Sequence, residues 1–446
     1  MFRQTKWSTV LSVLTACSLL AACSSNGGTN SSAPSAGTQS GDKPKEAKVV
    51  KLKFWGGVPP EAGPQQVIDK WNKENPNIQV EYVRYVNDDP GNLKLDTALM
   101  TGQGVDLFMS YFVPRLEKRV RSGNALDLGQ FSDYNIEAKI GPAAKDWQID
   151  GKNYSIPTTK KNFFIWLNKQ ALDEVGLPVP TDWTWEDVQA YADKLKKGQR
   201  QGFLQTLTEF DYPMDGSIEG SGGNVKPDGT SNLGDPYAKK YLEIMYNMMF
   251  NQKSTPALGE QIANKMPTEA EFLKGNAGIF YAGSYIFRFS NNLKDYPRDF
   301  KIAFAPMPKV SKDQSQFKVL GGVGDALSIN AASPYKEEAW KFMKWYADGG
   351  ILPMAEGGRI PASKEIDKNA VSQLLTKGAQ GTYDLDSMQK VLFDDNRETF
   401  ELKLEQQVID IRKEEYQKYF TKAQSLDETI NRIVKRHNDY LTQKKK

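Results

Sequence analysis

Few residues in this chain could do covalent chemistry. Its two cysteines, Cys17 and Cys23, both precede Ser24, so the body has neither an internal disulfide nor a cysteine metal site. The single histidine, His437, follows Ile430, Ile433 and Val434 at helical spacing and reads as a structural residue beside the packed face of the last helix. A nucleophile–histidine–acid centre would have to use it, and a zinc or copper site rich in histidine is excluded. Asp211 and Asp215 are a conceivable acid–base pair for glycan hydrolysis, although acids in turns usually face solvent. Lys160 and Lys161 stand together and could meet an acidic ligand or simply be solvated. No complete EF-hand pattern occurs.

The clearest chemical signal is at Cys23. Arg3 and Lys6 precede an apolar run with Val10, Leu11, Val13, Leu14, Leu19 and Leu20, which ends in Leu20-Ala21-Ala22-Cys23. This is the pattern of a signal peptide over residues 1–22 that closes in a lipobox. Small residues before the cysteine fit a peptidase cleft, and Cys23 then carries lipid on sulfur. Thr15, Cys17 and Ser18 interrupt the run, which is too short to span a membrane well. Leu14-Thr15-Ala16-Cys17 fits a looser lipobox, but its apolar region is shorter, so Cys23 is preferred. Residues 23–47, rich in Ser, Gly and Asn, cannot build a core and read as a flexible tether. The expected location is extracytoplasmic, lipid-anchored at the cell membrane.

Composition narrows the rest. The formal charge is +3, and a cut before Cys23 removes Arg3 and Lys6 with no acid, which gives no footprint of a nucleic-acid binder. Lys444-Lys445-Lys446 is most simply a solvated helix end. A body of roughly 400 residues is long enough for two units of usual size.

The elements that must position these residues alternate. Val50 to Trp55 predicts a strand, and Val67, Ile68 and Trp71 a helix that Asn75-Pro76 ends. Ile78, Val80 and Tyr82 predict a second strand, and Leu95, Ala98 and Leu99 a helix closed by Gly102 and Gly104. Val105 to Met109 is then a buried strand. This rhythm predicts a parallel α/β sheet. Lys161 to Leu167, Ala277 to Tyr281 and Lys301 to Ala305 predict further strands. Asn168, Asp235 before Pro236, Thr184 with Asp187, Thr268 with Glu271, and Ser425 with Glu428 are expected helix caps. Ser333-Pro334 is expected to start another helix, and the Tyr241, Leu242, Met245, Met248, Met249 stripe reads as core. From Ser387 onward the chain predicts helix throughout.

Several segments, in order, resemble the carbohydrate-binding extracellular solute-binding proteins of ATP-driven importers, typified by the maltose-binding protein. They include Phe54-Trp55-Gly56-Gly57, Trp71-Asn72-Lys73-Glu74-Asn75-Pro76 and Gly102-Gln103-Gly104-Val105-Asp106-Leu107-Phe108. Asp150-Gly151-Lys152-Asn153-Tyr154-Ser155-Ile156-Pro157, Phe272-Leu273-Lys274-Gly275-Asn276-Ala277-Gly278 and Ser328-Ile329-Asn330-Ala331-Ala332-Ser333-Pro334 follow. The resemblance covers about residues 50 to 365 and implies a two-lobed α/β periplasmic-binding-protein-like fold with three hinge crossings, extended here by C-terminal helices. The crossings are expected near Pro157–Lys161, Gly321–Gly324 and Gly358–Ala362. One lobe would comprise 48–158 with 322–360, and the other 159–321 with 361–446.

The same resemblance implies a ligand in the cleft between lobes, with no catalytic residue, metal or cofactor. A sugar site needs flat aromatic walls with amides and charged groups around them. Trp55 reads equally as a contact or as core, and Gly57 as a close backbone approach or a plain turn. Tyr111 is preferred to Ser110 on the next loop. Lys161 and Phe163 fall at the first crossing. Tyr212 and Tyr285, the latter beside Gly283, match the family's aromatic platforms. Gly322 and Asp325 lie by the second crossing, where Asp325 either accepts sugar hydroxyls or steadies the hinge. Arg359, near the third, is a contact or a surface ion pair. The implied partners are a carbohydrate and the transmembrane permease subunits, with the protein a monomer anchored to the membrane and no nucleic acid involved. A surface glycan-degrading enzyme is the alternative, as is the same fold holding a peptide, polyamine, metal chelate or acidic glycan.

Overall fold

The computed structural model describes residues 49–206, 209–394, 398–402 and 404–444. Cys17, Cys23, the tether and the last two lysines lie outside the described residues. Lys48–Lys446 forms one compact unit.

Strand β1 (Val50–Gly56) buries Leu52 and Phe54 and exposes Lys51 and Lys53, as a half-covered strand must. It pairs in parallel with β2 (Ile78–Arg84) and β3 (Leu107–Ser110). The helix Pro64–Glu74 buries Val67, Ile68 and Trp71, the stripe its spacing predicts. Asn72 fixes this helix to β2 by accepting from the Val80 amide and donating to the Val80 carbonyl.

Next in the chain come β4 (Ile156–Asn168), β5 (Gln201–Gln205), β6 (Ala277–Gly283), β7 (Ile302–Ala305) and β8 (Val319–Ile329). Two short strands follow, β9 (Ile360–Pro361) and β10 (Thr399–Phe400). The hydrogen-bonded order is β2-β1-β3-β8-β4-β6-β5, with β7 and β9 beside β4 and β10 beside β8. The expected parallel sheet is therefore mixed. β5 and β6 are parallel, but β8 runs antiparallel to β3, and β4 antiparallel to β6, β7, β8 and β9. The reason is that β4 carries the chain out of one lobe and β8 brings it back.

The lobes have separate cores. Leu52, Trp71, Leu107, Trp147, Ile156, Leu327 and Phe342 pack in the first. In the second, β4 alternates: Ile165 and Leu167 join Trp185, Tyr241 and Tyr281 on one face, and Phe164 and Trp166 join Phe280 and Phe304 on the other. Met245, Met248 and Met249 are buried in that second lobe as expected. So are Tyr416, Tyr419, Phe420 and Ile433 of the helices Gln406–Phe420 and Leu426–Lys444. His437 is buried with Nδ1 2.8 Å from the Ser231 hydroxyl, a structural placement.

Most expected caps form. Thr184 and Asp187 make the reciprocal capping box, and Asp235 accepts from the amides of Tyr237 and Ala238. Asn168 accepts from the Ala171 amide, and Ser425 from that of Glu428. Thr268 is different: it is the first helical residue after an N-cap at Pro267, and the Glu271 carboxylate takes the Asn276 side chain instead. The region after Ser387 is not wholly helical either, because β10 pairs in parallel with the start of β8.

Phe342 anchors the first lobe. It is fully buried, with its ring centroid 5.2 Å from Trp71 and 5.9 Å from Phe54. Phe342→Ala should destabilise the protein by about 3–5 kcal/mol, read from urea unfolding curves, and a loss under about 1 kcal/mol would contradict this packing.

Candidate functional site

The lobes meet where β4 and β8 run side by side, with Lys161 opposite Gly322 and Thr159 opposite Gly324. Glycine is needed here for room. A Cβ on Gly324 would stand 2.2 Å from Lys161 Cε, and Gly322 holds φ at +83° against Thr399. The Lys161 stem therefore lies over Gly324 and delivers its ammonium to Glu401, at 2.7 and 2.8 Å from the two carboxylate oxygens. The same ammonium is 3.4 Å from the Tyr111 carbonyl oxygen and 5.2 Å from the Trp147 ring centroid. Glu401 is buried, so Lys161 is neutralised within the protein.

The first lobe brings Gly57, Tyr111, Asp325 and Arg359 to the crossing. The Gly57 amide donates to the Tyr111 hydroxyl at 2.6 Å. A Cβ on Gly57 would stand 2.9 Å from that ring, which explains glycine there. Burial pushes the Tyr111 phenol well up, and it stays protonated. Asp325 holds φ at +47°, its carbonyl accepts from the Thr158 hydroxyl at 2.6 Å, and its carboxylate lies 3.1 Å from Arg359 Nε. The Asp325 charge raises the Arg359 guanidinium further. Trp55, like Tyr111, and Ser110 are buried in the first lobe. Trp55 packs in the first core, and Ser110 is fully buried, accepting from Arg119 at 2.9 Å.

The second lobe supplies an aromatic wall. The Phe163 and Tyr212 rings meet edge-on at 5.2 Å, and Phe163 pairs across the sheet with Gly283. A Cβ on Gly283 would approach Tyr285 to 2.9 Å and Phe163 to 3.2 Å, so glycine lets the rings converge. The Tyr285 hydroxyl donates to Glu209 at 2.6 Å and lies 3.2 Å from the Thr206 hydroxyl. Ser284 donates to the Gly358 carbonyl at 3.1 Å, which ties this wall to the residue before Arg359.

Glu209 was not legible in advance, and it is the most unusual group at the site. It is 4 % exposed, and its Oε2 has no hydrogen-bond partner among the described residues. Burial pushes its carboxyl up to about 8, against the pull of the Tyr285 hydrogen bond. Near neutral pH it can both donate and accept, which suits hydroxyl-bearing ligands. Phe112, beside Tyr111 and 52 % exposed, also went unread. Glu401 had no local signal because its partner lies far away in the chain.

Asp211 and Asp215, the conceivable hydrolytic pair, are both buried against Arg412. Burial pushes both carboxyls up, Asp215 to about 6, while Arg412 pulls them back down. Among the described residues no group of three His, Cys, Asp or Glu could hold a metal ion.

A sequence model of the bacterial extracellular solute-binding proteins matches residues 56–348. The chain belongs to that family. This solute-binding protein is 24 % identical over 278 residues to a maltotriose-binding protein from Pyrococcus abyssi, a match covering 61 % of this chain and 58 % of that one. It is 24 % identical over 370 residues to a multiple sugar-binding protein from Streptococcus mutans, across 75 % of this chain and 80 % of that one. A crystal structure of a sugar transporter from Rhizobium etli, in an open conformation, shares the fold with a TM-score of 0.72. That likeness has 20 % identity and covers 87 % of this chain and 98 % of the other. The residues at the lobe crossing are thus the candidate ligand contacts of this solute-binding protein.

Glu209 gives a pH prediction. Its folded form keeps a proton up to about pH 8, whereas an unfolded chain releases it near 4.5. This group therefore lowers stability progressively as pH rises through that window. Melting temperatures across the window should fall more steeply for the wild type than for Glu209→Gln; identical slopes would contradict the assignment.

Proposed function

We propose that this solute-binding protein captures a neutral carbohydrate of oligosaccharide size between its lobes and delivers it to the transmembrane subunits of an ATP-driven importer. The observation that carries the reading is the wall of Phe163, Tyr212 and Tyr285 set against the Glu209 carboxyl at the crossing. Sugar rings present C–H faces to such a wall and hydroxyls to the polar groups at its edge. The names of the two relatives, maltotriose-binding and multiple sugar-binding, support the same ligand class.

Charge pairing favours a neutral ligand over the acidic glycan that Lys160, Lys161 and Arg359 suggested. An acidic sugar that reached Lys161 or Arg359 would compete with Glu401 or Asp325 for it. Losing either pairing leaves a buried carboxylate without its partner, which is costly. The glycan-degrading alternative loses its carboxylate pair to Arg412.

A thermal-shift screen of the chain lacking residues 1–23 tests the ligand class. Neutral oligosaccharides should raise the melting temperature by mass action while uronate oligomers of equal length do not. The reverse order would overturn the proposal. Tyr212→Ala and Tyr285→Ala should each weaken the bound sugar about tenfold, or ~1.4 kcal/mol, by calorimetry; undiminished affinity in both would remove the wall from the site.

The same proposal has Cys23 carrying a lipid, residues 23–47 serving as the tether, and a monomer working outside the cytoplasm. Cys23→Ser should move the protein from the membrane to the soluble fraction, and Cys17→Ser should not. Membrane retention of Cys23→Ser would contradict the anchor.

A further inference from the structure

We propose that Arg412, on the C-terminal helix Gln406–Phe420, is a positioning residue for the Tyr212 wall of the cleft. The proposal rests on Tyr212 being a ligand contact. Tyr212 opens the helix Tyr212–Gly220, so its place depends on how that first turn is held. Asp211 occupies the N-cap position but makes no side-chain cap bond. Its carboxylate instead faces Arg412 as an ion pair without a hydrogen bond, Oδ2 3.7 Å from Nη2, while Nη1 hydrogen-bonds Asp215. The two acids flank Tyr212, one residue before and three after, and the guanidinium spans the turn between them.

The anchor is rigid and dry. The Arg412 side chain is 1 % exposed, Asp215 2 % and Asp211 12 %. Arg412 Nε donates to the Tyr416 hydroxyl one turn along its own helix, at 3.0 Å, which fixes the arm. The middle of the Tyr212 helix is held differently. The Lys318 amide donates to the Gly216 carbonyl at 3.1 Å, and a Cβ on Gly216 would stand 2.3 Å from the Lys318 carbonyl oxygen. Backbone contact at Lys318 thus secures the middle of the helix, and Arg412 secures the first turn, which bears the ring. The C-terminal helices thereby act on the cleft without touching the ligand.

The test places 3-fluorotyrosine at position 212 and reads it by fluorine NMR in the full chain. Affinities for maltotriose, raffinose and xylotriose are measured one by one by calorimetry on the same samples without the label. Arg412→Met should shift or broaden the resonance and weaken whichever of these sugars binds by about tenfold. Arg412→Lys keeps a charge but cannot bridge two carboxylates, and Asp211→Asn removes one anchor; both should show the same change in smaller degree. Arg436→Met is the control, since it breaks a pairing with Glu414 and Glu415 elsewhere in the C-terminal helices. It should lower the melting temperature and leave resonance and affinity alone. Should Arg412→Met not fold, Arg412→Lys and Asp211→Asn decide. An unmoved resonance with undiminished affinity in those two would overturn the proposal. If the wild type binds none of the three sugars, the resonance alone decides the positioning role, and the failure falls on the ligand reading.

Discussion

The antiparallel pairing of β4 with β8 is the constraint on which everything else depends. Their ladder runs from Ile156 opposite Leu327 to Asn162 opposite Gly321, and it crosses from one lobe to the other. Residues at its first end pack in one core and residues beyond its other end in a second. A narrow ribbon with glycines at 321, 322 and 324, flanked only by the short β9 and β10, has room where bulkier residues would collide with Lys161 or Thr399. Such a crossing lets two packed bodies move while the residues on it stay put. Both lobes contribute side chains to this crossing, Tyr111 and Asp325 from one and Phe163 from the other.

Charge is then arranged around the crossing in a consistent way. Lys161 rests on Glu401, Arg359 on Asp325, and Arg412 on Asp211 and Asp215. In each set at least one member is buried, and buried ions are stable only when paired. Lys161, Arg359 and Arg412 are thus each matched by an acid of the chain, beside the Tyr111 and Tyr285 hydroxyls and the Glu209 carboxyl. Two of those three pairings draw a partner from beyond residue 400. The C-terminal extension is therefore part of how the site is built, through Glu401 at the crossing and Arg412 beneath the wall.

Much of this was legible in the sequence, for identifiable reasons. β1, the helix Pro64–Glu74 and β2 were readable because period and capping both speak locally, and Val67, Ile68 and Trp71 are buried as their spacing demands. Tyr212 and Tyr285 were found through family resemblance, and local spacing alone would not have singled them out. The mixed direction of the sheet was not legible, because strand direction depends on where β8 returns. The missing box at Thr268 shows the limit of motif reading: Glu271 had a better partner in Asn276. Ser110 is fully buried and its hydroxyl accepts from Arg119, a pairing that no local pattern announces. Glu401 and Arg412 were beyond reach, since a pairing with a residue far away in the chain leaves no local pattern.

The central claim is that a sugar lies at the crossing against the Tyr212 and Tyr285 rings with a hydroxyl at Glu209. A crystal structure of the protein grown with the neutral oligosaccharide that most raises its melting temperature tests this directly. The account predicts a sugar ring against one of those two tyrosines, with a hydroxyl within hydrogen-bond distance of Glu209 and the Lys161–Glu401 pair intact. A sugar bound away from the crossing, or one that reaches Lys161 with Glu401 displaced, would contradict it.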